Sequence, residues 1–297
     1  MPARAPFSTV FDFFQGSDVA TPEQRALQRD IIEQLYVSPA FDPVSEIKCR
    51  SEFLANHLQS AGLRTLVLGI SGGVDSLVGG LLAQRAVELC RARCYEAAFI
   101  AMRLPYGEQA DESDAQLSLR VIQPDETLVV DVKPASDSIL EQCLAAGLEF
   151  RDASQRDFVH GNIKARQRMV AQFAVAGARQ GLVVGTDHAA EALMGFFTKF
   201  GDGAADVMPL TGLNKRRVRA LAEIMGAPPE QVYKVPTADL ESLSPLQPDE
   251  LALGVSYDEI DDFLEGKSVS DTAYETIFAT FRRTAHKRAL PAFPVIA

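Results

Sequence analysis

Small and acidic residues gather in one short run, Ser71-Gly72-Gly73-Val74-Asp75-Ser76, between the apolar stretch Thr65–Ile70 and a helical pattern that begins at Leu77. Glycines before a helix let backbone N–H groups turn inward at the positive helix end, which makes a cradle for phosphate. The run lacks the Lys-Ser/Thr of a Walker A loop and does not fit GxGxxG. A plain glycine turn would not require two serines and an aspartate. An aspartate beside a bound pyrophosphate would be repelled unless a cation lay between them, so Asp75 implies Mg2+. The loop predicts ATP bound and split with a magnesium ion held by Asp75.

Other residues carry chemistry at a distance from this loop. Thr186 ends an apolar strand and Glu191 follows about one and a half helical turns later, which brings a second carboxylate to the edge where Asp75 lies. Two hard oxygen donors there suit Mg2+; the alternative is that Asp187 and Glu191 are solvated helix charges. His188 reads as a helix-start residue and is assigned neither as ligand nor as base. Lys215 follows Asn214 at a helix start, where a cation opposes the helix dipole and calls for an anionic partner. Arg216, Arg217 and Arg219 read as a solvated face. Lys199 through Asp206 is a loop punctuated by Gly201 and Gly203, of the kind that closes over a reactive intermediate. On the helix from Asn162, Ile163, Val170, Phe173 and Gly177 form a stripe that also includes Arg166. That arginine either packs its stem and sends its head to solvent, or meets a ligand.

These residues need a frame. From Thr65 onward short apolar runs alternate with helical stretches, the signature of βαβ units. The strands expected are Thr65–Ile70, Ala97–Leu104, Thr127–Val132, Leu182–Gly185 and Val232–Val235. Helices are expected at Leu77–Arg93, Glu108–Val121, Ser136–Ala146, Asn162–Gln180, His188–Phe197 and Lys215–Met225. The fold class is α/β: a doubly wound, five-stranded, mainly parallel sheet with helices on both faces. Ligands of such sheets bind beyond the carboxyl ends of the strands. One domain over residues 1–297 is expected, with a helical extension at about 18–63 that includes a helix from Pro43 to Ser60 and forms a cover to the rest of the chain.

The Ser71–Ser76 run resembles the SGGxDS loop of the ATP pyrophosphatases, whose fold is that of the adenine nucleotide alpha hydrolases. Longer segments are similar to the ammonia-dependent NAD synthetase family: Arg103–Gly107, Gly185–Glu191, Gly195–Gly203, Pro236–Glu241 and His286–Arg288. The resemblance runs from about Glu46 to Arg288. It implies that the nicotinate carboxylate of deamido-NAD is adenylated by ATP with magnesium, pyrophosphate leaves, and free ammonia then gives NAD and AMP. It implies an ATP site of Gly69, Ile70, Ser71, Gly72, Gly73, Val74, Asp75, Ser76, Thr186, Lys215 and Thr237, with Lys215 on phosphate. Asp75 and Glu191 become the metal ligands, and Arg166, Lys199, Asp206, His286 and Lys287 the deamido-NAD contacts. Asp202 falls near the ammonia site, where it would help to bind or deprotonate ammonium; with Asp75 and Lys215 it completes the catalytic set. Family members are homodimers.

Composition agrees with a cytoplasmic enzyme. A net charge of −11 leaves no basic footprint for nucleic acid. The longest apolar runs fall far below the roughly 20 residues of a membrane span, and the N-terminus lacks a signal-peptide pattern. Cys49, Cys90, Cys94 and Cys143 form no CxxC pair and read as reduced core thiols. Val74 stands where the family usually has glutamine, which leaves the backbone donors and Asp75 intact. The stretch Ser242–Pro248 is more apolar and proline-rich than the family pattern, and Phe11-Asp12-Phe13-Phe14 reads as a docking tail. Two other readings are another ATP pyrophosphatase amidating a different carboxylate, and a non-catalytic nucleotide-binding module. A module would need neither two metal carboxylates nor a shielding loop.

Overall fold

The computed structural model describes residues 21–107, 112–238, 240–243 and 247–294. The segment Phe11–Phe14 lies outside them. Two helices come first, α1 (Pro22–Gln34) and α2 (Pro43–Ser60), each entered through a proline and capped by Thr21 or Asp42. The sheet-forming half comes next as β1 (Thr65–Gly69), α3 (Val74–Ala92), β2 (Ala98–Arg103), α4 (Glu112–Ile122), β3 (Glu126–Val129), α5 (Lys133–Ala145), α6 (Ala153–Ala178) and β4 (Gly181–Val183). Then come α7 (Ala189–Met194), α8 (Lys215–Ile224), α9 (Pro229–Val232), β5 (Thr237–Ala238), β6 (Gln247–Pro248), α10 (Asp249–Leu253), α11 (Tyr257–Leu264), α12 (Asp271–Arg283) and α13 (Ala285–Arg288).

The sheet is parallel with order β3-β2-β1-β4, β1 pairing Thr65 with Ala98 on one side and with Gly181 on the other. Alternation along β1 sorts its side chains between two cores. Leu66 and Leu68 meet Leu54, Leu58, Leu77 and Val218 of α2, α3 and α8, whereas Val67 meets Val132 and Ala176 on the side of α5 and α6. Helices therefore cover both faces, as expected. A third cluster joins α1 to α7, α11 and α12 through Ile31, Leu193, Ile260, Phe263 and Ile277. The two N-terminal helices thus go to different cores, and α2 belongs to the sheet layer.

Several expectations need correction. Val232–Val235 is not a strand: Val232 ends α9, Tyr233 and Val235 are exposed, and Pro236 has no N–H to offer a ladder. Beyond β4 the sheet continues only as a parallel bridge between Val184 and Val207, while β5 and β6 form a separate antiparallel pair. α6 starts well before Asn162, and its expected apolar stripe is split: Val170 is 51% exposed, whereas Phe173 packs against the core on the α5 and α6 side of the sheet. The buried positions of α6 are Asp157, Gly161, Lys164, Ala165 and Ala176. Arg217 is buried rather than solvated; it donates to the Ser38 carbonyl at 2.7 Å and stacks on Phe41. Of the four cysteines only Cys90 is buried, and Cys49 and Cys94 are exposed.

Candidate active site

The phosphate loop is built by its own side chains. Gly72 turns the chain at φ +90°, and a Cβ there would lie 2.8 Å from the Ala115 nitrogen, so glycine is required on both counts. The Ser76 hydroxyl donates to the Gly73 carbonyl at 3.0 Å and accepts from the Ser71 N–H at 3.2 Å. The Ser71 hydroxyl in turn accepts from the Gly73 N–H at 3.3 Å. Both serines thus fix the loop. No side chain caps the first turn of α3, which leaves its N–H groups for an anion at the positive helix end.

Asp75 sits in that turn, and its surroundings are charged. Lys215 donates to Asp75 Oδ2 at 2.8 Å, and His188 Nε2 lies 3.3 Å from Oδ1 and 3.7 Å from Glu191. Lys215 starts α8, where the Asp261 carboxylate accepts from its backbone N–H at 3.0 Å and from that of Arg216 at 2.7 Å. Burial opposes ionisation of Asp75, but Lys215 and His188 hold its carboxyl well below the ordinary range. Burial, with Asp75 and Asp187 adding to it, pushes Glu191 up to about 8 against the pull of His188 and Lys215. Burial likewise pushes Asp187 up to about 8, helped by Asp202 and Asp75. Such a site is short of positive charge.

A divalent cation fits that deficit. Ligand atoms of Asp75, His188 and Glu191 lie within 4.8 Å of one another, and among the described residues the buried Asp75 Oδ1 has only the His188 Nε2 contact at 3.3 Å. Two carboxylates match a hard ion such as Mg2+, while the imidazole is the softer donor and serves better as a partner to Asp75.

A cavity of about 470 Å³ opens from this cluster. Gly69, Ile70, Ser71, Gly73, Val74, Asp75, Ser76, Thr186, Glu191, Lys215 and Thr237 all line it, as do Asp202 and Lys287; Gly72 shapes the loop from behind. The Asp202 carboxylate accepts from the Thr198 N–H at 2.8 Å, and burial raises its pKa. Lys287 donates to the carbonyls of Gly195 and Phe197, and burial lowers its pKa. Arg166, Lys199 and His286 do not line the cavity but are chained together. Arg166 donates to the Lys199 carbonyl at 3.2 Å, and Lys199 Nζ to the His286 carbonyl at 2.6 Å. Asp206 stands apart, its carboxylate accepting from the Val183 N–H at 2.7 Å to brace the end of β4.

Sequence reasoning passed over several residues that the fold brings here. His188 lies at the entrance to α7 but is 1% exposed between three charged partners. Asp187 is 8% exposed, not solvated. Arg168 and Gln172 reach the cavity from α6, Gln172 accepting from the Gly69 N–H at 2.8 Å. Asp249 lines it from α10. The one available signal was spacing: 161, 165, 168 and 172 follow helical periodicity, but a stripe of mixed polarity does not announce itself as an inner face.

Comparison with known proteins bears on this geometry. The sequence profile of NAD synthase matches residues 46–291. The chain belongs to the NAD synthase family. It is 62% identical over 276 residues to an NH(3)-dependent NAD(+) synthetase of Streptomyces coelicolor, covering 93% of this chain and all of that one. Another, from Burkholderia ambifaria, is 64% identical over 89% of this chain and 94% of its own length. The crystal structure of an NAD+ synthetase from Burkholderia pseudomallei superimposes with a TM-score of 0.80 at 57% identity, covering 92% of this chain and 99% of that one. An NMN synthetase from Francisella tularensis shares the fold at 33% identity and a TM-score of 0.76, over 86% of this chain and all of that one.

Proposed function

We propose that the chain amidates deamido-NAD to NAD with free ammonia, driven by cleavage of ATP to AMP and pyrophosphate. The observation that carries this reading is the buried Asp75–Lys215–Glu191 cluster at the mouth of an uncapped phosphate loop. The substrate carboxylate attacks the α-phosphorus, pyrophosphate leaves, ammonia attacks the acyl carbon, and AMP departs. Loop N–H groups and Lys215 offset charge on the leaving pyrophosphate, where the transition state needs it. Mg2+, when bound by Asp75 and Glu191, supplies further charge neutralisation on the phosphates. Asp202, which lines the cavity, offers ammonium a hydrogen-bond acceptor, and a carboxyl whose pKa burial raises is suited to take its proton. Lys287 and the Arg166–Lys199–His286 chain mark the side on which the dinucleotide enters. The reading includes a cytoplasmic enzyme formed as a single unit. It also includes a homodimer, which is supported by the exposed apolar residues Val129, Ile139, Leu144, Phe158 and Val170 along β3, α5 and α6.

The test is a turnover assay with deamido-NAD, ATP and ammonium that follows NAD and AMP. Equal amounts of the two are expected. ADP in place of AMP would reject the reading, and preference for a mononucleotide over deamido-NAD would overturn the substrate.

A further inference from the structure

Three positions on one stripe of α6 hold a segment that has no secondary structure of its own. The Asp157 carboxylate accepts from the N–H groups of Ser242 and Leu243 at 3.0 and 2.7 Å. Lys164 Nζ donates to the Leu240 carbonyl at 3.0 Å and to the Ser242 hydroxyl at 2.9 Å. Gly161 lies between them, and a Cβ there would come within 3.1 Å of the same Leu240 carbonyl. Asp157 and Lys164 are 8% and 3% exposed. Charges buried that deeply are costly unless hydrogen-bonded, and here they are hydrogen-bonded to loop backbone.

The segment they hold is a partition. Leu240 and Glu241 line the main cavity, whereas Ser242 and Leu243 line a second cavity of about 440 Å³ on the other side, with Tyr106, Asp137 and His160. Empty space behind a wall gives it room to retreat, so its position depends on its anchors. The anchors are themselves fixed. Lys164 Nζ lies 4.2 Å from the centre of the Tyr106 ring, whose hydroxyl bonds Asp137, and Asp137 pairs with Lys133 at 2.6 Å. Tyr106 follows β2, so the tie runs from the partition through α6 to the sheet and α5.

We propose that Asp157 and Lys164 are positioning residues that fix the Leu240–Leu243 wall of the active-site cavity, so that the acyl-adenylate meets ammonia and not water. The proposal rests on the amidation reading. If the wall recedes, water oxygen attacks the acyl carbon, AMP leaves, and deamido-NAD is regenerated. ATP is then consumed without NAD, and more than one AMP appears per NAD.

The test uses the full-length protein and its Lys164→Met, Asp157→Ala and Lys164→Arg variants. AMP and NAD are measured at limiting ammonium, and amide exchange is measured at Ser242 and Leu243. Lys164→Met and Asp157→Ala are expected to raise the AMP to NAD ratio about threefold or more and to speed exchange at those two amides about tenfold. Lys164→Arg, which keeps the charge and donors, is expected to return the ratio to near one. Faster exchange with a ratio that stays at one in both variants would reduce the anchors to structural props and overturn the proposal. Unchanged exchange overturns the anchoring whatever the reaction, and a wild-type protein that makes no NAD overturns the amidation reading instead.

Discussion

Lys215 has two carboxylate partners, one for its amino group and one for its backbone. Asp75 meets Nζ at 2.8 Å, and Asp261 meets the N–H at 3.0 Å. The cation that looks misplaced at a helix start is thus offset at both ends. Lys215→Met removes a charge aimed at the pyrophosphate, and kcat is expected to fall about 10²–10³-fold, the cost of losing one preorganised donor. The same change strips a buried carboxylate of its main partner, with an expected stability loss of about 3–5 kcal/mol. If Asp75 and Glu191 hold a divalent cation, thermal melts should recover part of this loss on adding MgCl2 but not NaCl at equal ionic strength. A melt indifferent to magnesium would argue against the cation site.

At the scale of elements, capping decides where the site is built. Burial pushes the Asp261 carboxyl up to about 6 from 3.8, although it accepts the N–H groups of Arg216 and Lys215. A carboxyl with a raised folded pKa binds its proton more tightly in the folded state. Its contribution is therefore full below the unfolded value and lost as pH rises through about 6. Relative to Asp261→Asn, the wild-type unfolding free energy should fall by up to about 3 kcal/mol between about pH 4 and pH 7, measured by urea unfolding. Parallel pH curves for the two proteins would exclude this assignment.

The same scale shows what was legible. The loop from Ser71 to Ser76, the strand before it and the helix after it are set by short-range chemistry, and so they were readable. The sheet's helices were readable too, to within a turn or so for most. α6 was not, because its apolar residues Phe158 and Val170 are exposed while Asp157 and Lys164 are buried and serve loop backbone. Periodicity assumes that buried means apolar, and the N-terminal half of α6 breaks that rule at Asp157 and Lys164. The strand expected at Val232–Val235 failed for a different reason: β-branched composition cannot say whether a neighbouring strand is there to pair with. Asp206 shows a third limit, since a motif position identifies a residue but not that its carboxylate braces β4.

At the scale of the molecule, Val170 and Phe158 on α6, Ile139 on α5 and Val129 on the edge strand β3 are all exposed. Exposed apolar residues on an edge strand and on neighbouring helices are a liability that a second copy would remove. The wild-type chain is expected to show a dimer mass by light scattering and Ile139→Glu a monomer mass; a monomeric wild type would reject the dimer. The strand order has its own consequence. β1 is the first strand made and lies inside the sheet, yet its partner on one side arrives only with Gly181. A ribosome adding ~5–20 residues per second leaves that flank of β1 bare for on the order of ten seconds. During synthesis the chain carries an apolar edge next to an unfinished phosphate loop, and it is expected to recruit chaperones at that stage. Fragments ending before Gly181 would aggregate instead of binding nucleotide, and the cell meets this protein as an enzyme only when translation is well past its midpoint.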